Sequence, residues 1–187
     1  MACHKGSFMG KEGGIDDFAG IKGERTAGME SAAGGRIEGR RKLAFQDDAF
    51  ALPGGIDSHV HIAQPSGPGI EMADDFASAT RSAACGGNTT VMPFCLQEDG
   101  YTLREAVADY HAKADGQCFV DVSFHLIIKN TDQQTIGQDL PALIEAGYTS
   151  FKIFMTYEGL ALSDSQILEV MDAAKRHNAM VMVHAEN

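Results

Sequence analysis

Between Ala51 and Asn187 the chain alternates short apolar, β-branched runs with longer stretches of helical spacing. Ile56–Ala63 reads as a strand, and Pro53-Gly54-Gly55 marks the turn that enters it. A helix is expected over Ala73–Cys85, ended by Gly86 and Gly87, residues that tolerate positive φ. Thr89–Phe94 is the second strand. Thr102 and Glu105 form a capping box, after which Leu103, Ala106, Val107 and Tyr110 keep helical spacing. Phe119–Ile128 is the third strand. Leu140, Leu143 and Ile144 mark a helix with Pro141 in its first turn and Gly147 just past its end. Thr149–Thr156 is the fourth strand. Ser163 and Gln166 open a last helix whose Ile167, Leu168, Met171 and Ala174 are expected to line one face, and Val181–His184 is the fifth strand.

This alternation implies parallel βαβ units. An open doubly wound sheet and a (β/α)8 barrel both satisfy it. The first needs a glycine-rich phosphate turn after strand one, and Gly67-Pro68-Gly69 lacks the Gly-x-Gly-x-x-Gly pattern. The second places functional side chains at the C-terminal ends of its strands. His59 and His61 end strand one, Lys152 lies in strand four and His184 ends strand five. The fold class expected is therefore α/β, a (β/α)8 barrel of the TIM type. The chain holds its first four βα units plus the fifth strand. Five strands cannot close an eight-stranded barrel, so the chain reads as a fragment.

Composition changes near Ala51. Residues 1–50 hold ten of the 21 glycines and balance eight basic against eight acidic side chains, so the whole net charge of −11 falls on residues 51–187. Residues 1–50 are read as an irregular glycine-rich segment and 51–187 as the barrel part. The acidic balance argues against a nucleic-acid partner. No 18-residue apolar run and no secretory leader are visible, which points away from the membrane and toward the cytoplasm. Cys3, Cys85, Cys95 and Cys118 form no Cys-x-x-Cys pair, as expected of reduced thiols, and the last three read as small buried hydrophobes.

Two imidazoles spaced by one residue project from one face of a strand and can hold one metal ion from two directions. An ordinary strand with two polar residues fits the His59-Val60-His61 pattern as well. Asp57 shares that strand face and is a candidate to hydrogen-bond the site from behind the ligands. Lys152 sits in an otherwise apolar and aromatic strand, where a charged amine is costly unless paired or neutralised. A buried lysine is deprotonated more readily and becomes nucleophilic. It can form a Schiff base, pair with a carboxylate, or react with carbon dioxide to give a carbamate. His184 fits a metal ligand and a hydrogen-bonded structural histidine equally well. His125 reads as a satisfied core residue; His111 and His177 read as surface groups, and Phe154 and Met155 as core packing.

Residues 51–187 resemble the N-terminal half of the barrel of the dihydropyrimidinase/hydantoinase family of cyclic amidohydrolases. The likeness runs through Gly54-Gly-Ile-Asp-Ser-His-Val-His61, Ala73-Asp-Asp-Phe76, Gly86-Gly-Asn-Thr-Thr90, Phe151-Lys-Ile-Phe-Met-Thr-Tyr157 and Val183-His-Ala-Glu-Asn187. The resemblance implies a pair of divalent metal ions, usually Zn2+. His59 and His61 bind the first, a carbamate on Lys152 bridges to the second, and His184 binds the second. Tyr157 is implied as the catalytic residue that hydrogen-bonds the developing oxyanion. The implied reaction is hydrolytic opening of a dihydropyrimidine or hydantoin ring, a cyclic ureide or imide, to an N-carbamoyl amino acid, a step of pyrimidine catabolism. A homotetramer is implied for the parent protein.

The family also uses a further histidine and an aspartate from later strands, so the 187-residue chain alone is expected to be inactive. The loop after His61 reads Ala63-Gln-Pro-Ser-Gly-Pro68, where the family often has an apolar lid, which alters the surface facing the ring substituent. Rival readings are an allantoinase-like or dihydroorotase-like enzyme, or a non-catalytic scaffold relative. The dihydroorotase reading expects an arginine where Ala63 stands, and the scaffold reading expects lost ligands.

Overall fold

The computed structural model of the protein describes residues 26–33, 36–44, 53–66 and 69–186. The chain divides into two units, with the boundary at Pro53 and Gly54. In the first, strands β1 (Thr26–Ala33) and β2 (Arg36–Ala44) pair antiparallel, with a register irregularity between Ser31 and Ala32. The rest of the segment expected to be irregular lies outside the described residues.

The second unit is a parallel sheet with helices between its strands. Its strands are β3 (Gly55–Val60), β4 (Asn88–Leu96), β5 (Asp121–Val122), β6 (His125–Ile127), β7 (Ser150–Phe154) and β8 (Met180–His184). Helices α1 (Phe76–Cys85), α2 (Leu103–Ala114), α3 (Leu140–Glu145) and α4 (Asp164–Arg176) alternate with them. The spatial order is β3-β4-β6-β7-β8, with β5 also on β4. Each new strand adds to the same side, so the order never reverses. That excludes the doubly wound sheet, whose crevice lies where the order turns back. The sheet is part of a (β/α) barrel.

Capping chemistry sets the helix starts. The Thr102–Glu105 and Ser163–Gln166 boxes both form, satisfying the first free amides of α2 and α4. A third box joins Asp75 to Ser78 and starts α1 three residues later than its apolar pattern suggests. The turn into β3 needs its glycines: a Cβ on Gly54 would run into the Thr89 side chain at the start of β4. Gly87 (φ 87°) and Gly147 (φ 104°) turn the chain out of α1 and α3 in the left-handed region.

Two expectations are corrected, and one element is found that the sequence reading did not include. The third strand is interrupted at Ser123 and Phe124, although β5 and β6 keep one register against β4. A π-helical turn, Thr135–Asp139, precedes α3. Helix α4 buries Ile167, Val170, Ala173 and Ala174 and leaves Leu168 65% and Met171 38% exposed. Its sequence carries two adjacent apolar stripes, and spacing alone does not say which one meets the sheet.

The core lies between the helices and the outer face of the sheet. Phe76, Tyr110 and Phe124 form its aromatic centre, with ring centroids 4.8 to 6.4 Å apart. Tyr110 donates its hydroxyl hydrogen to the Ile62 carbonyl, tying α2 to the segment just after His61. His111 also joins this core, with its ring 4.6 Å from that of Phe124 and a hydrogen bond to the Tyr148 hydroxyl, so it is no free surface group. His177 is exposed at the C-terminal end of α4, as expected.

The cysteines separate. Cys95 is buried and burial pushes its thiol up to about 12, whereas Cys85, expected to be buried, is exposed at the end of α1. Because the thiolate is the nucleophile, iodoacetamide at neutral pH is expected to alkylate Cys85 and to spare Cys95 until urea unfolds the chain. Peptide mass spectrometry reads this directly; equal labelling of both in the folded protein would show that the packing around β4 is wrong. Among the described residues no helix is long and apolar enough to cross a membrane.

Candidate metal centre

His59 lies near the end of β3 and His61 just past it, with ring centroids 5.5 Å apart. Lys152 is in the middle of β7, and His184 is the last residue of β8. Tyr157 follows β7 in a left-handed conformation (φ 76°), uncommon for a side chain of its size. His59, His61, Tyr157 and His184 therefore sit at or just past the C-terminal ends of their strands, where barrels of this kind carry their chemistry, and Lys152 joins them from mid-strand.

The geometry forms two clusters with a lysine between them. In the first, the Phe94 ring lies 4.7 Å from His59 and 5.2 Å from His61. In the second, His184 stacks on Phe154 at 5.5 Å and lies 5.0 Å from Tyr157. The Lys152 ammonium stands over both aromatic platforms, 5.9 Å from the Phe94 centroid and 5.4 Å from that of Phe154. Lys152 is half-buried rather than enclosed, and no carboxylate of the described residues forms an ion pair with it. Phe154 and Met155 are not core residues: the first lines this face and the second is 45% exposed. Alternation places Ser150, Lys152 and Phe154 on one face of β7, a signal present in the sequence.

Hydrogen bonds decide which imidazole nitrogens are open. His61 Nδ1 lies 2.6 Å from Gln64 Oε1, which only accepts, so Nδ1 carries the hydrogen and Nε2 keeps its lone pair. His184 Nε2 donates to Glu186 Oε2 at 2.9 Å, which leaves Nδ1 open. The Tyr157 hydroxyl donates to the same carboxylate oxygen at 3.1 Å. Hydrogen bonds from His184 and Tyr157 hold the Glu186 carboxyl below the usual carboxylate range, and Glu186 in turn pushes the Tyr157 phenol up. Asp57 reaches the site through the backbone, its Oδ1 accepting the His59 N–H at 3.2 Å. Neighbouring Asn187 lies outside the described residues.

Among the described residues no three His, Cys, Asp or Glu side chains gather closely enough to hold a metal ion. The pattern that does gather is two imidazoles, a lysine amine and a third imidazole. This set becomes a nitrogen-and-oxygen donor set for two divalent ions once the amine carries a carbamate. The open nitrogens of His61 and His184 fit that requirement.

Residues 50–187 match the amidohydrolase family, and the chain belongs to it. It is 44% identical to the D-hydantoinase of Streptomyces coelicolor over 139 residues, which are 74% of this chain and 29% of that protein. It is 38% identical to the D-hydantoinase of Ralstonia pickettii over 86% of this chain and 35% of that protein. Among solved structures, the dihydropyrimidinase of Brevibacillus agri superposes with a TM-score of 0.69 at 33% identity, covering 86% of this chain and 35% of that one. The chain thus spans about a third of the length of these relatives.

Proposed function

We propose that this chain carries the first part of a metal-dependent cyclic amidohydrolase that opens a hydantoin or dihydropyrimidine ring to an N-carbamoyl amino acid. The observation that carries the reading is the Lys152 amine standing between the His59–His61 pair and His184 at the C-terminal end of one parallel sheet. Identity of 44% to a D-hydantoinase supports the same reaction class.

His59 and His61 would hold one divalent ion and His184 a second, with Zn2+ the ion we favour. Lys152 would contribute to both after its neutral amine adds to carbon dioxide, forming an N–C bond and releasing one proton to solvent. The metal pair, when bound, supplies an activated water and polarises the amide carbonyl. Tyr157 would donate a hydrogen bond to the oxygen that gains charge as the ring carbonyl is attacked. In the structure the single Tyr157 O–H is donated to Glu186, whose shared oxygen also holds the His184 ring, so the phenol would have to leave Glu186 to serve the substrate. A cytoplasmic homotetramer serving pyrimidine breakdown completes this reading.

The protein expressed from its complete gene, supplied with Zn2+ and bicarbonate, is expected to convert hydantoin or 5,6-dihydrouracil to the N-carbamoyl product, followed by chromatography. Failure with both rings under Zn2+, Mn2+ and Co2+ alike would overturn the proposal.

A further inference from the structure

Three imidazoles converge on the Phe94 ring. Two are the proposed ligands His59 and His61; the third is His125 of β6, at 5.1 Å. His125 is 3% exposed and both of its nitrogens are engaged. Nε2 lies 2.8 Å from the Ser58 carbonyl oxygen and Nδ1 lies 2.6 Å from Ser150 Oγ. A carbonyl oxygen only accepts, so Nε2 carries the hydrogen, and the bare Nδ1 accepts from the Ser150 hydroxyl. One neutral tautomer satisfies both contacts. Burial, the largest influence on this ring, holds its pKa below the ordinary histidine value.

The ladder between β3 and β4 shifts register between Gly55 and Ile56 and again around Ser58, between Asp57 and Val60. Asp57 pairs with Val91 and Val60 with Pro93, so β3 advances three residues while β4 advances two. The extra residue is a bulge, a device that bends a strand and re-aims its side chains. It falls at Ser58–His59, which interrupts the alternation that would otherwise place Asp57, His59 and His61 on one face. Two backbone groups at this bulge are satisfied by side chains. The His59 N–H donates locally to Asp57. The Ser58 carbonyl accepts from His125, which reaches it from two strands away across β4.

We propose that His125 is a positioning residue: by donating to Ser58 it fixes the bulge, and so sets the direction in which His59 and His61 present their rings. Its consequence for metal binding rests on the ligand assignment above; its geometry does not. Phe94, wedged among the three rings, keeps them apart while the hydrogen bond sets the backbone.

The test uses the protein expressed from its complete gene, with labelled histidine. Long-range 1H–15N spectra at pH 7.5 are expected to show His125 as the Nε2–H tautomer. His125→Phe keeps a ring but loses the donor, and is expected to shift the His59 amide and the His59 and His61 imidazole signals. His125→Gln, whose amide nitrogen can donate to Ser58, is expected to restore them. Titrated with Co2+ alone, His125→Phe should bind about tenfold or more weakly than wild type, and His125→Gln within about threefold of it. An Nδ1–H tautomer in wild type overturns the proposal even if a variant fails to fold. Equal spectra or equal Co2+ affinity for the two variants overturns it too. If wild type gives the expected spectra and takes up no Co2+, the anchoring stands and the hydrolase reading falls.

Discussion

Lys152→Met is expected to abolish ring opening in the enzyme expressed from its complete gene, a loss of at least about a thousandfold in kcat. The same change should lower bound Zn2+ from two ions per chain to one or none, read by atomic absorption. The reason lies in what the amine does between its neighbours. Its nitrogen stands 5.9 Å from one aromatic platform and 5.4 Å from the other, with no carboxylate among the described residues paired to it. As an ammonium it would gain only the attraction of two ring faces, worth about 0.5–1 kcal/mol each at an open site. Methionine keeps most of the length of the side chain and removes a half-buried, unpaired charge whose desolvation is costly, so the folded state should lose little. With both proteins stripped of metal, a thermal midpoint equal to or above that of wild type, with activity gone in the metal-loaded variant, separates a chemical role from a structural one. Wild-type activity and metal content in Lys152→Met would remove the central piece of the mechanism.

How much of this was legible in the sequence depends on the kind of signal. Strand-like runs and helical spacing located the strands and α-helices of the barrel part to within a few residues, because each buries one face against the same core, but missed the π-helical turn and the break in the third strand. Capping boxes at Thr102 and Ser163 were readable as local chemistry; the box at Asp75 was equally local and lay hidden inside a longer apolar pattern. Strand order was not legible. Parallel βαβ units give the same pattern in a barrel and in a doubly wound sheet; the missing phosphate turn and the placement of His59, His61, Lys152 and His184 favoured the barrel, and the pairing bears that out. The bulge at Ser58–His59 was not legible either, since one extra residue on β3 has meaning only against β4. For the same reason Asp57 was expected to serve the site through a shared strand face, whereas it binds the His59 amide. His125 illustrates the limit from the other side: the sequence marks it as a satisfied core residue, and the structure shows what satisfies it.

Phe124→Ala is expected to cost about 3–5 kcal/mol of folding stability, the usual range for removing a buried aromatic ring. Phe124 is 1% exposed and touches Tyr110 and His111 at 4.8 and 4.6 Å and Phe76 at 6.4 Å, so its neighbours are themselves held rings with little freedom to collapse into the space. It is also the residue immediately before His125, in the interruption between β5 and β6, so the cavity would open beside the residue whose hydrogen bond reaches Ser58. Phe119→Ala supplies the comparison: that ring is 56% exposed and its recorded aromatic contact is Arg81 at 5.0 Å, so its loss should cost about 1 kcal/mol or less. Urea unfolding followed by circular dichroism measures both. The denaturation midpoint should fall steeply for Phe124→Ala and barely for Phe119→Ala. Comparable losses in the two variants would mean that the core between helices and sheet is not centred on Phe124. Against domain stabilities of only about 5–15 kcal/mol, the larger loss is a substantial fraction of the whole.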